Sequence, residues 1–425
     1  MKNILVIAYQ LNPLKGSECS VAWDYVVNMS KQNKLTVLFG SSEEYHMIGN
    51  TKSMMDYVSQ NSMDNVTFLP ISLDNEFKET DYSALGIFLF YKQYRKWHQK
   101  VRTVALELIN QQKYDLIHYL GPIGYREPGF LYDLGLPYIW GPIGGFGGIN
   151  MKLLKATCSI TGAAKLSLRK YANFYQQHFN SRVKLAINHA DVVIGATTEY
   201  TRIINKYVNK DSNVVIKHLP ENCIKEKHPL NVCKFDSDVL KLIWIGRPDA
   251  NKGLILLLEA MSKLPDKKQI YLDVVGSWVL EERLKKWSKK HGLENCVKWN
   301  GRVERNKVFD LINDAHLNVI TSLYDANTTV IWEAMAMGVP TMSLDHCGMH
   351  DTITKETGIK IPIQSYGQVV NDIRDNLLRL INNKELKYQM ALAVMKDRDK
   401  YTWESRSSFF EDMYNTAIRV RNEKK

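Results

Sequence analysis

Residues 323–353 read LYDANTTVIWEAMAMGVPTMSLDHCGMHDTI, and this stretch decides the predicted fold. Asn327 or Thr328 is a suitable N-cap for the apolar run VIWEAMAM. Gly338, with Pro340 just beyond it, is a suitable terminator, so the run predicts a short helix. The strand-like segment PTMSLD follows at once, and CGMHDTI then supplies a glycine turn and a further acid. A strand, an acidic loop, a helix and a second strand in this order are typical of a βαβ unit.

Two acidic residues, Asp325 and Glu333, bracket the start of this helix. A helix start presents unpaired backbone N–H groups and the positive end of the helix dipole, which together can bind an anion. Glu333 interrupts an apolar segment about one turn into the helix. Its carboxylate therefore either faces solvent or accepts hydrogen bonds from groups such as sugar hydroxyls. For an isolated glutamate we would favour the solvated surface position.

Length and composition limit the class of protein. A chain of 425 residues suits two domains of about 200 residues each. The net charge of +11 indicates a polyanionic partner: nucleic acid, anionic lipid or a phosphate-bearing substrate. The six cysteines are scattered without a C-x-x-C pair, which predicts reduced thiols in a cytosolic protein and no zinc site. We expect no signal peptide, and the longest apolar run, 84–91, is too short to span a bilayer.

The first half begins with the apolar strand Ile4–Tyr9, a loop containing Gly16, and a helix for which Ser17 is a suitable N-cap. The loop lacks the G-x-G-x-x-G pattern, which argues against an NAD enzyme. In the later strand LIHYL, His118 lies near the carboxyl end, where open α/β sheets bind ligands. A structural histidine that fixes the strand end is a nearly equal alternative.

The second half places two cations at the start of one helix. Arg247 directly follows the apolar strand LKLIWIG, and Lys252 precedes Gly253 at the next helix start. Two such cations repel each other unless an anion lies between them, and a diphosphate suits this position. The alternative interpretation is a pair of solvated loop charges.

These segments resemble the retaining nucleotide-sugar glycosyltransferases of family 4, of the bacterial polysaccharide-biosynthesis type. The family's E-x7-E motif and EAxAxGxPV run are similar to the segment from Asp325 through Glu333 and EAMAMGVPT. Its GR…KG motif, whose Arg and Lys hold the donor diphosphate, is similar to Arg247 and Lys252-Gly253. Here Asp325 replaces a glutamate that is one methylene longer.

Further segments extend the resemblance over nearly the whole chain. Gly16 matches the first glycine of the family's Gly-Gly loop, and Ser17 replaces the second. The segment GPIGGFGGIN, 141–150, resembles the GPxGG segment of the same subgroup, and LPENCI resembles its linker into the second domain.

The resemblance implies an α/β protein of GT-B fold, with two facing, doubly wound Rossmann-like domains and a deep inter-domain cleft. It implies an acceptor-binding domain at 1–218, to which a terminal helix at 402–422 returns. A linker at 219–238 and a nucleotide-sugar-binding domain at 239–401 complete the expected organisation.

The implied activity is retaining, metal-independent transfer of a hexosyl group from a UDP- or GDP-sugar, with UDP favoured. The acceptor would be a glycan or a lipid-linked glycan of cell-surface polysaccharide synthesis, and no cofactor would be required. The implied catalytic residues are His118, Asp325, Arg247 and Lys252. The implied donor-binding residues are Gly16, Ser17, Arg247, Lys252, Gly276, Arg302, Val303, Asp325, Asn327, Thr328, Thr329 and Glu333. Among them, Glu333 would bind the ribose, Asp325 the donor sugar, and the turns at Gly276 and Arg302 the base.

Three other functions remain open. A nucleotide-sugar 2-epimerase shares the fold, and a non-catalytic polyanion-binding protein could keep it without turnover. A metal-dependent transferase would use a D-x-D motif, which occurs at 236–238 and 397–399. We interpret both occurrences as chance, because the first lies in the linker and the second ends a charged helix.

Two basic, aromatic stretches, 88–102 and 151–184, interleave Lys and Arg with apolar residues at helical spacing. They predict amphipathic helices on an anionic membrane, and thus a cytoplasmic protein, peripheral on the inner face of the plasma membrane. Ordinary solvated helices packed on their apolar faces are an equal alternative. RNA binding ranks lower, and we expect no nucleic-acid partner, because no RNP, KH or zinc-knuckle pattern is present.

Overall fold

The computed structural model describes residues 1–16, 18–43, 51–73 and 84–424. The chain divides into two compact units. Unit 1 comprises Met1–Phe146, Gln176–Glu221 and Arg406–Lys425, and unit 2 comprises Gly147–Tyr175 and Asn222–Ser405. Each unit contains one parallel sheet with helices between its strands, so the predicted α/β class with two Rossmann-like domains is confirmed.

In the described residues, unit 1 has a sheet of seven parallel strands in the order β3-β2-β1-β4-β5-β6-β7. The strands are β1 (Asn3–Ala8), β2 (Lys34–Gly40), β3 (Val66–Ile71), β4 (Leu116–Gly121), β5 (Tyr138–Ile143), β6 (Val192–Gly195) and β7 (Val215–His218). The central strands are continuous apolar runs because helices cover both faces of such a sheet. The strand Leu116–Gly121, for example, is buried over its first five residues.

Helices connect most of the parallel strands of this half of the chain, although the described segment between β4 and β5 contains no helix. The helices are α1 (Glu18–Met29), α2 (Thr51–Gln60), α3 (Ala84–Gln111), α4 (Ile160–Phe179), α5 (Ser181–His189) and α6 (Thr198–Asn205). A short 3-10 helix, Met151–Thr157, precedes α4.

Unit 2 has a sheet of six parallel strands in the described residues, in the order β10-β9-β8-β11-β12-β13. The strands are β8 (Leu240–Ile245), β9 (Ile270–Val275), β10 (Val297–Gly301), β11 (Leu317–Ile320), β12 (Thr341–Leu344) and β13 (Gly358–Ile361). The helices of this half of the chain are α7 (Leu254–Ser262), α8 (Glu281–Lys290), α9 (Arg305–Asp314), α10 (Thr329–Ala336), α11 (Cys347–Thr352), α12 (Tyr366–Ile381), α13 (Lys384–Asp397) and α14 (Trp403–Glu423), of which α14 belongs mostly to unit 1. Short 3-10 helices lie at Cys233–Asp236, Lys267–Gln269 and Arg398–Tyr401.

The βαβ unit predicted from 323–353 is confirmed. Strands β11 and β12 are parallel neighbours, and α10 connects them. Thr328 is the N-cap residue, and Gly338 follows the helix with a left-handed φ of 70°. The predicted glycine turn at CGMHDTI is instead the short helix α11, whose second residue is Gly348. A capping box of Ser365 and Gln368 begins α12.

The compact units differ from the predicted domains in one large segment. Residues 147–175, which the sequence places in the first domain, belong to unit 2. The side chains of Ile149, Leu153 and Ala156 are buried in the core cluster that contains β8, β9 and α7. At the carboxyl end, Arg406–Lys425 lies in unit 1, while α14 begins three residues earlier.

The order of strands reverses at one point in each sheet. In unit 1 the reversal lies between β1 and β4, and in unit 2 it lies between β8 and β11. Open α/β sheets bind ligands outside the carboxyl ends of the two strands at such a switch point. We therefore expect a ligand site of unit 2 to be formed by the loops after β8 and β11.

Candidate functional site

Hydrogen bonds join the two loops at the switch point of unit 2. The Thr321 hydroxyl donates to the carbonyl of Lys252 at 2.8 Å. The Asn251 side chain donates to the carbonyl of Tyr324 at 2.7 Å, and the Leu323 N–H donates to the carbonyl of Asn251 at 2.7 Å. These bonds fix the loop after β8 against the loop after β11.

The loop after β8 is itself held in a tight turn. One carboxylate oxygen of Asp249 accepts from the backbone N–H groups of Asn251 and Lys252, at 2.8 and 3.1 Å. Gly253 then caps α7 with a left-handed φ of 57°. A Cβ at this position would lie 2.5 Å from the carbonyl oxygen of Thr321, so only glycine permits the close approach of the two loops. The backbone thereby fixes where the Lys252 side chain begins.

Two of the predicted site residues contact each other across these loops. The Lys252 ammonium lies 2.5 Å from the Asp325 carboxylate. Their side chains are 21% and 25% exposed, so the ion pair is accessible to a ligand from solvent. Because the carboxylate neutralises part of the Lys252 charge, an incoming anion must share this cation with Asp325.

The start of α10 lies directly beyond Asp325. Asn327 and Thr328 are buried, and Thr329 is exposed. Although Thr328 is the N-cap residue, its side chain makes no capping hydrogen bond, and among the described residues its buried hydroxyl has no partner. The N–H groups of the first turn lack partners within the helix. The unpaired buried hydroxyl and these donors are suited to an anionic ligand.

Glu333 lies one turn further along α10, and its side chain is mostly buried and has a charged partner. Its carboxylate accepts from the guanidinium of Arg305 on α9 at 3.1 Å, and its side chain is 19% exposed. Burial raises the pKa of Glu333, and Arg305 and Lys225 act in the opposite direction. Sequence reasoning missed Arg305, because nothing in the local pattern links α9 to α10.

A tryptophan that the sequence did not single out lies between two predicted donor-binding cations. The guanidinium carbons of Arg247 and Arg302 lie 5.2 and 5.9 Å from the centroid of the Trp278 ring. Trp278 is 42% exposed. An exposed aromatic ring between two cations can stack on a nucleotide base or a ring sugar. The only sequence signal was its position two residues after Gly276, at the end of β9.

Gly276 and Val303 have structural roles in the same region. A Cβ on Gly276 would lie 2.0 Å from the carbonyl oxygen of Gly246, so a side chain would separate the ends of β8 and β9. Val303 is half-buried and packs against the core cluster that contains Ile243 and Ile312. These residues shape the turns that carry Arg247 and Arg302.

In unit 1, His118 is fully buried in β4. Its Nδ1 accepts from the Tyr25 hydroxyl at 2.9 Å, and its Nε2–H donates to the carbonyl of Gly141 at 2.8 Å. Burial lowers the pKa of His118 to about 4, so the ring is neutral at physiological pH. This is the structural alternative that the sequence left open. The structure favours this alternative over the catalytic assignment, because the ring has no exposed surface and both of its nitrogens are hydrogen-bonded within unit 1.

The loop after β1 contains two predicted donor-binding residues, Gly16 and Ser17, and the structure describes only the first. Gly16 is exposed and has open space around its Cα, whereas Ser17 lies outside the described residues. Sequence reasoning missed Glu18, the first residue of α1, whose carboxylate accepts from the Ile123 N–H at 2.8 Å. Burial raises its pKa to about 7. Glu18 and Ile123 bring α1 and the loop after β4 together at the switch point of unit 1.

Three of the four acids of the two D-x-D segments are engaged in ion pairs. Asp238 pairs with Lys384 at 2.6 Å, Asp399 pairs with Lys227 at 2.9 Å, and Asp397 pairs with Lys400. Across residues 1–16, 18–43, 51–73 and 84–424, no three His, Cys, Asp or Glu residues are grouped so that they could hold a metal ion.

The two basic stretches turn out to be different. In α3, which contains 88–102, Tyr94, Trp97 and His98 are buried, and the Trp97 Nε1–H donates to the carbonyl of Ile71 at 3.0 Å. The packed-helix alternative therefore fits this stretch, whose apolar face is buried in the protein. In α4, by contrast, aromatic residues are exposed. Within the described part of the chain, no helix is sufficiently long and apolar to cross a bilayer.

Comparison with known proteins identifies the domain that carries the site. Residues 229–393 match the family described as Glycosyl transferases group 1. The chain is similar to an uncharacterized glycosyltransferase of Methanocaldococcus jannaschii, with 24% identity over 43% of this chain and 46% of that protein. It is also similar to the amylovoran biosynthesis glycosyltransferase AmsK of Erwinia amylovora, with 27% identity over 27% of this chain and 30% of AmsK. The chain thus spans less than half the length of these relatives.

Solved structures extend the likeness to the whole fold. Sucrose-phosphate synthase from Thermosynechococcus elongatus has a TM-score of 0.65 at 15% identity, over 99% of this chain and 100% of that one. HepE from Anabaena, in complex with UDP, has a TM-score of 0.60 at 15% identity, over 98% of this chain and 100% of that one. The fold is that of GT-B glycosyltransferases, and unit 2 carries a group 1 glycosyltransferase domain.

Proposed function

We propose that the protein is a retaining glycosyltransferase of family 4 that moves a sugar from a nucleotide diphosphate sugar to a glycan or lipid-linked acceptor. Its role would lie in the synthesis of a cell-surface polysaccharide, as the similarity to AmsK suggests. The observation that carries the proposal is the set of charges at the switch point of unit 2. There Lys252, Asp325 and the start of α10 lie together in the group 1 domain.

The chemical problem in such a transfer is the departing nucleotide diphosphate. Arg247, Lys252 and the N–H groups at the start of α10 would stabilise the negative charge that develops on it, without a metal ion. The bond between the anomeric carbon and the phosphate oxygen breaks as the acceptor oxygen bonds to the same face of that carbon. The acceptor's proton passes to the departing phosphate, so no protein base is required.

The two acids would bind different parts of the donor. Asp325 would accept from hydroxyls of the donor sugar, and its pairing with Lys252 supports a sugar position beside the diphosphate. Glu333, about one turn along the helix, would accept from the ribose hydroxyls. Trp278, between Arg247 and Arg302, would contact the nucleotide base. We favour UDP because the structurally similar HepE was solved with UDP.

The acceptor and the place of action belong to the same proposal. A polysaccharide repeat built on a lipid carrier is available only at a membrane surface. The net charge of +11 supports reversible, peripheral attachment to the anionic inner face of the plasma membrane from the cytoplasm.

Binding of nucleotides tests the first half of the proposal. The purified chain is heated with UDP, GDP, ADP and the matching nucleotide sugars. A ligand that binds only the folded state raises the midpoint of unfolding. We expect UDP and one UDP-sugar to raise it most. If none of these compounds shifts the midpoint, the proposed donor site is wrong.

Turnover tests the second half. The nucleotide sugar that raises the midpoint most is then incubated with the protein and a lipid-linked acceptor. Proton NMR of the product should show that the transferred sugar keeps the anomeric configuration that it had in the donor. Transfer should survive an excess of EDTA. Complete loss of activity with EDTA that Mg²⁺ or Mn²⁺ restores contradicts the metal-free mechanism, and an inverted product contradicts retention. Conversion of the donor into its 2-epimer without an acceptor would favour the epimerase alternative.

A further inference from the structure

The helix α4 exposes more large apolar side chains than any other helix or strand in the described residues. Six of the 15 large apolar side chains that are exposed among the described residues belong to this one helix of 20 residues. They are 62% to 92% exposed, and they are Ile160, Leu168, Tyr171, Phe174, Tyr175 and Phe179. Monomeric soluble proteins rarely leave so many large apolar side chains together in solvent, so the patch marks a binding surface.

The exposed residues form a stripe and not a scatter. With 3.6 residues per turn, positions 160, 168, 171 and 175 fall on one side of the helix, with the exposed Ala164 among them. The opposite side contacts the protein. There Leu166 packs against the core of unit 2, and the Asn173 side chain donates to the carbonyl of Gly147 at 2.6 Å. One face of α4 therefore holds it in place, and the other faces outward.

The sign of the charged residues near the stripe indicates which kind of partner binds it. Residues 151–190 contain seven Lys and Arg and no Asp or Glu. One of these cations, Arg182, pairs with Glu127 and is therefore not available to an external partner. An apolar stripe with Tyr and Phe, in a segment whose charged residues are all cations, suits an anionic bilayer, because the apolar side chains enter the headgroup boundary while the cations contact acidic headgroups.

The inner face of α4 also contacts the loops of the candidate site. A Cβ on Gly162 would lie 2.5 Å from the Cβ of Ala250, in the loop that leads to Lys252. The guanidinium of Arg169 lies 5.4 Å from the ring centroid of Tyr324, next to Asp325. Attachment of the outer face to a surface would therefore place both site loops directly behind that surface.

We propose that the outward face of α4 binds an anionic lipid bilayer and so holds the loops of Lys252 and Asp325 at the membrane surface. Lipid binding by this face is independent of catalysis, and only its purpose, access to a lipid-linked acceptor, rests on the proposed function.

The test is flotation of the full chain with vesicles of phosphatidylcholine, with and without about 30% phosphatidylglycerol, at about 0.05 M and about 0.5 M salt. We expect binding only to the acidic vesicles, and a large decrease at high salt, where the charges are screened. The triple variant Leu168→Glu, Tyr171→Glu, Phe174→Glu should bind at least about tenfold more weakly, because three carboxylates would enter the headgroup region.

A matched control separates the stripe from net charge. The triple variant Leu106→Glu, Val232→Glu, Leu392→Glu makes the same charge change at exposed apolar residues away from α4. It should bind within about twofold of the wild type. Equal loss in both triple variants would show that net charge alone drives binding, and this overturns the proposal. Wild-type protein that ignores acidic vesicles at low salt, or that forms oligomers which the α4 variant abolishes, overturns it as well.

Folding of the variants is checked by their midpoints of unfolding and by their affinity for UDP. The flotation assay contains no donor or acceptor, so a failure of lipid binding leaves the proposed transfer untouched. In the same way, an inactive protein that binds acidic vesicles through α4 would contradict only the proposed function. The single variant Tyr171→Ser, which adds no charge, repeats the test should the triple variant prove unstable.

Discussion

The ammonium of Lys252 lies 2.5 Å from the carboxylate of Asp325, across 73 residues of sequence. Sequence analysis assigned these residues to different parts of the donor, the diphosphate and the sugar. Their contact means that the charge state of one affects binding at the other. Substitutions at the two positions should therefore have opposite effects on the affinity for a nucleotide diphosphate.

Replacement of the lysine removes the cation. We expect Lys252→Met to weaken UDP binding by about tenfold or more, because a hydrogen bond to a charged group contributes about 1.5–3 kcal/mol. Isothermal titration calorimetry measures the change. The control is Lys263→Met at the other end of α7, where the ammonium donates to Asn371 on the surface. If both variants bind UDP as the wild type does, Lys252 does not hold the diphosphate.

Replacement of the acid removes a competitor for the same cation. We expect Asp325→Asn to bind free UDP about two- to fivefold more tightly, because a partly exposed ion pair contributes up to about 1 kcal/mol. Transfer should fall in the same variant, since the contact with the donor sugar is weakened. Calorimetry and a transfer assay on one preparation compare the two effects. A loss of UDP affinity as large as that of Lys252→Met would show that Asp325 positions the lysine and does not bind the sugar.

The ribose assignment of Glu333 can be tested with the nucleotide itself. If the carboxylate accepts from the 2′-hydroxyl, the wild type should bind UDP more tightly than 2′-deoxy-UDP. Glu333→Gln should bind UDP about tenfold more weakly, and should distinguish the two nucleotides poorly. Glu304→Gln, at the exposed N-cap of α9, serves as the control. Full discrimination retained by Glu333→Gln would mean that Glu333 binds another group, or only Arg305.

The structural role of His118 predicts an effect on stability and not on ligand binding. We expect His118→Gln to lower the midpoint of unfolding while UDP affinity stays within about twofold, because the side chain lies in the core of unit 1 and not in the site of unit 2. A thermal-shift assay and calorimetry with UDP measure the two properties. Unchanged stability with a large loss of transfer would restore the catalytic assignment.

The same histidine also predicts the sign of a pH dependence. Its pKa in the folded protein is about 4, below the ordinary value of 6.5. Between these values the unfolded chain binds a proton that the folded chain does not. The stability that His118 contributes is therefore complete above about pH 6.5 and is lost as the pH falls toward 4. In urea titrations, His118→Gln should reduce the slope of unfolding free energy against pH in this window by at most about 1.4 kcal/mol per pH unit.

The sequence by itself determined the elements and their order. Apolar runs such as Leu240–Ile245 predicted buried parallel strands, and residues such as Thr328 and Gly338 marked helix ends. These signals are local, because a strand or a helix cap depends on side chains within a few positions of each other. The same local signals place Lys252 and Asp325 in loops that follow strands. Because the strands of the sheet are parallel, these loops lie at one edge of it.

Only the tertiary structure decided which side chains meet and which remain exposed. The stretches 88–102 and 151–184 have the same basic, aromatic composition, yet Trp97 is buried and Tyr171 is exposed. Likewise, the histidine at the end of β4 proved to be a buried structural residue, and Arg305 proved to be the partner of Glu333. Each outcome depends on residues that are distant in sequence. Composition and periodicity specify that a helix has an apolar face, but the free energy of burial is realised only where another element packs against that face.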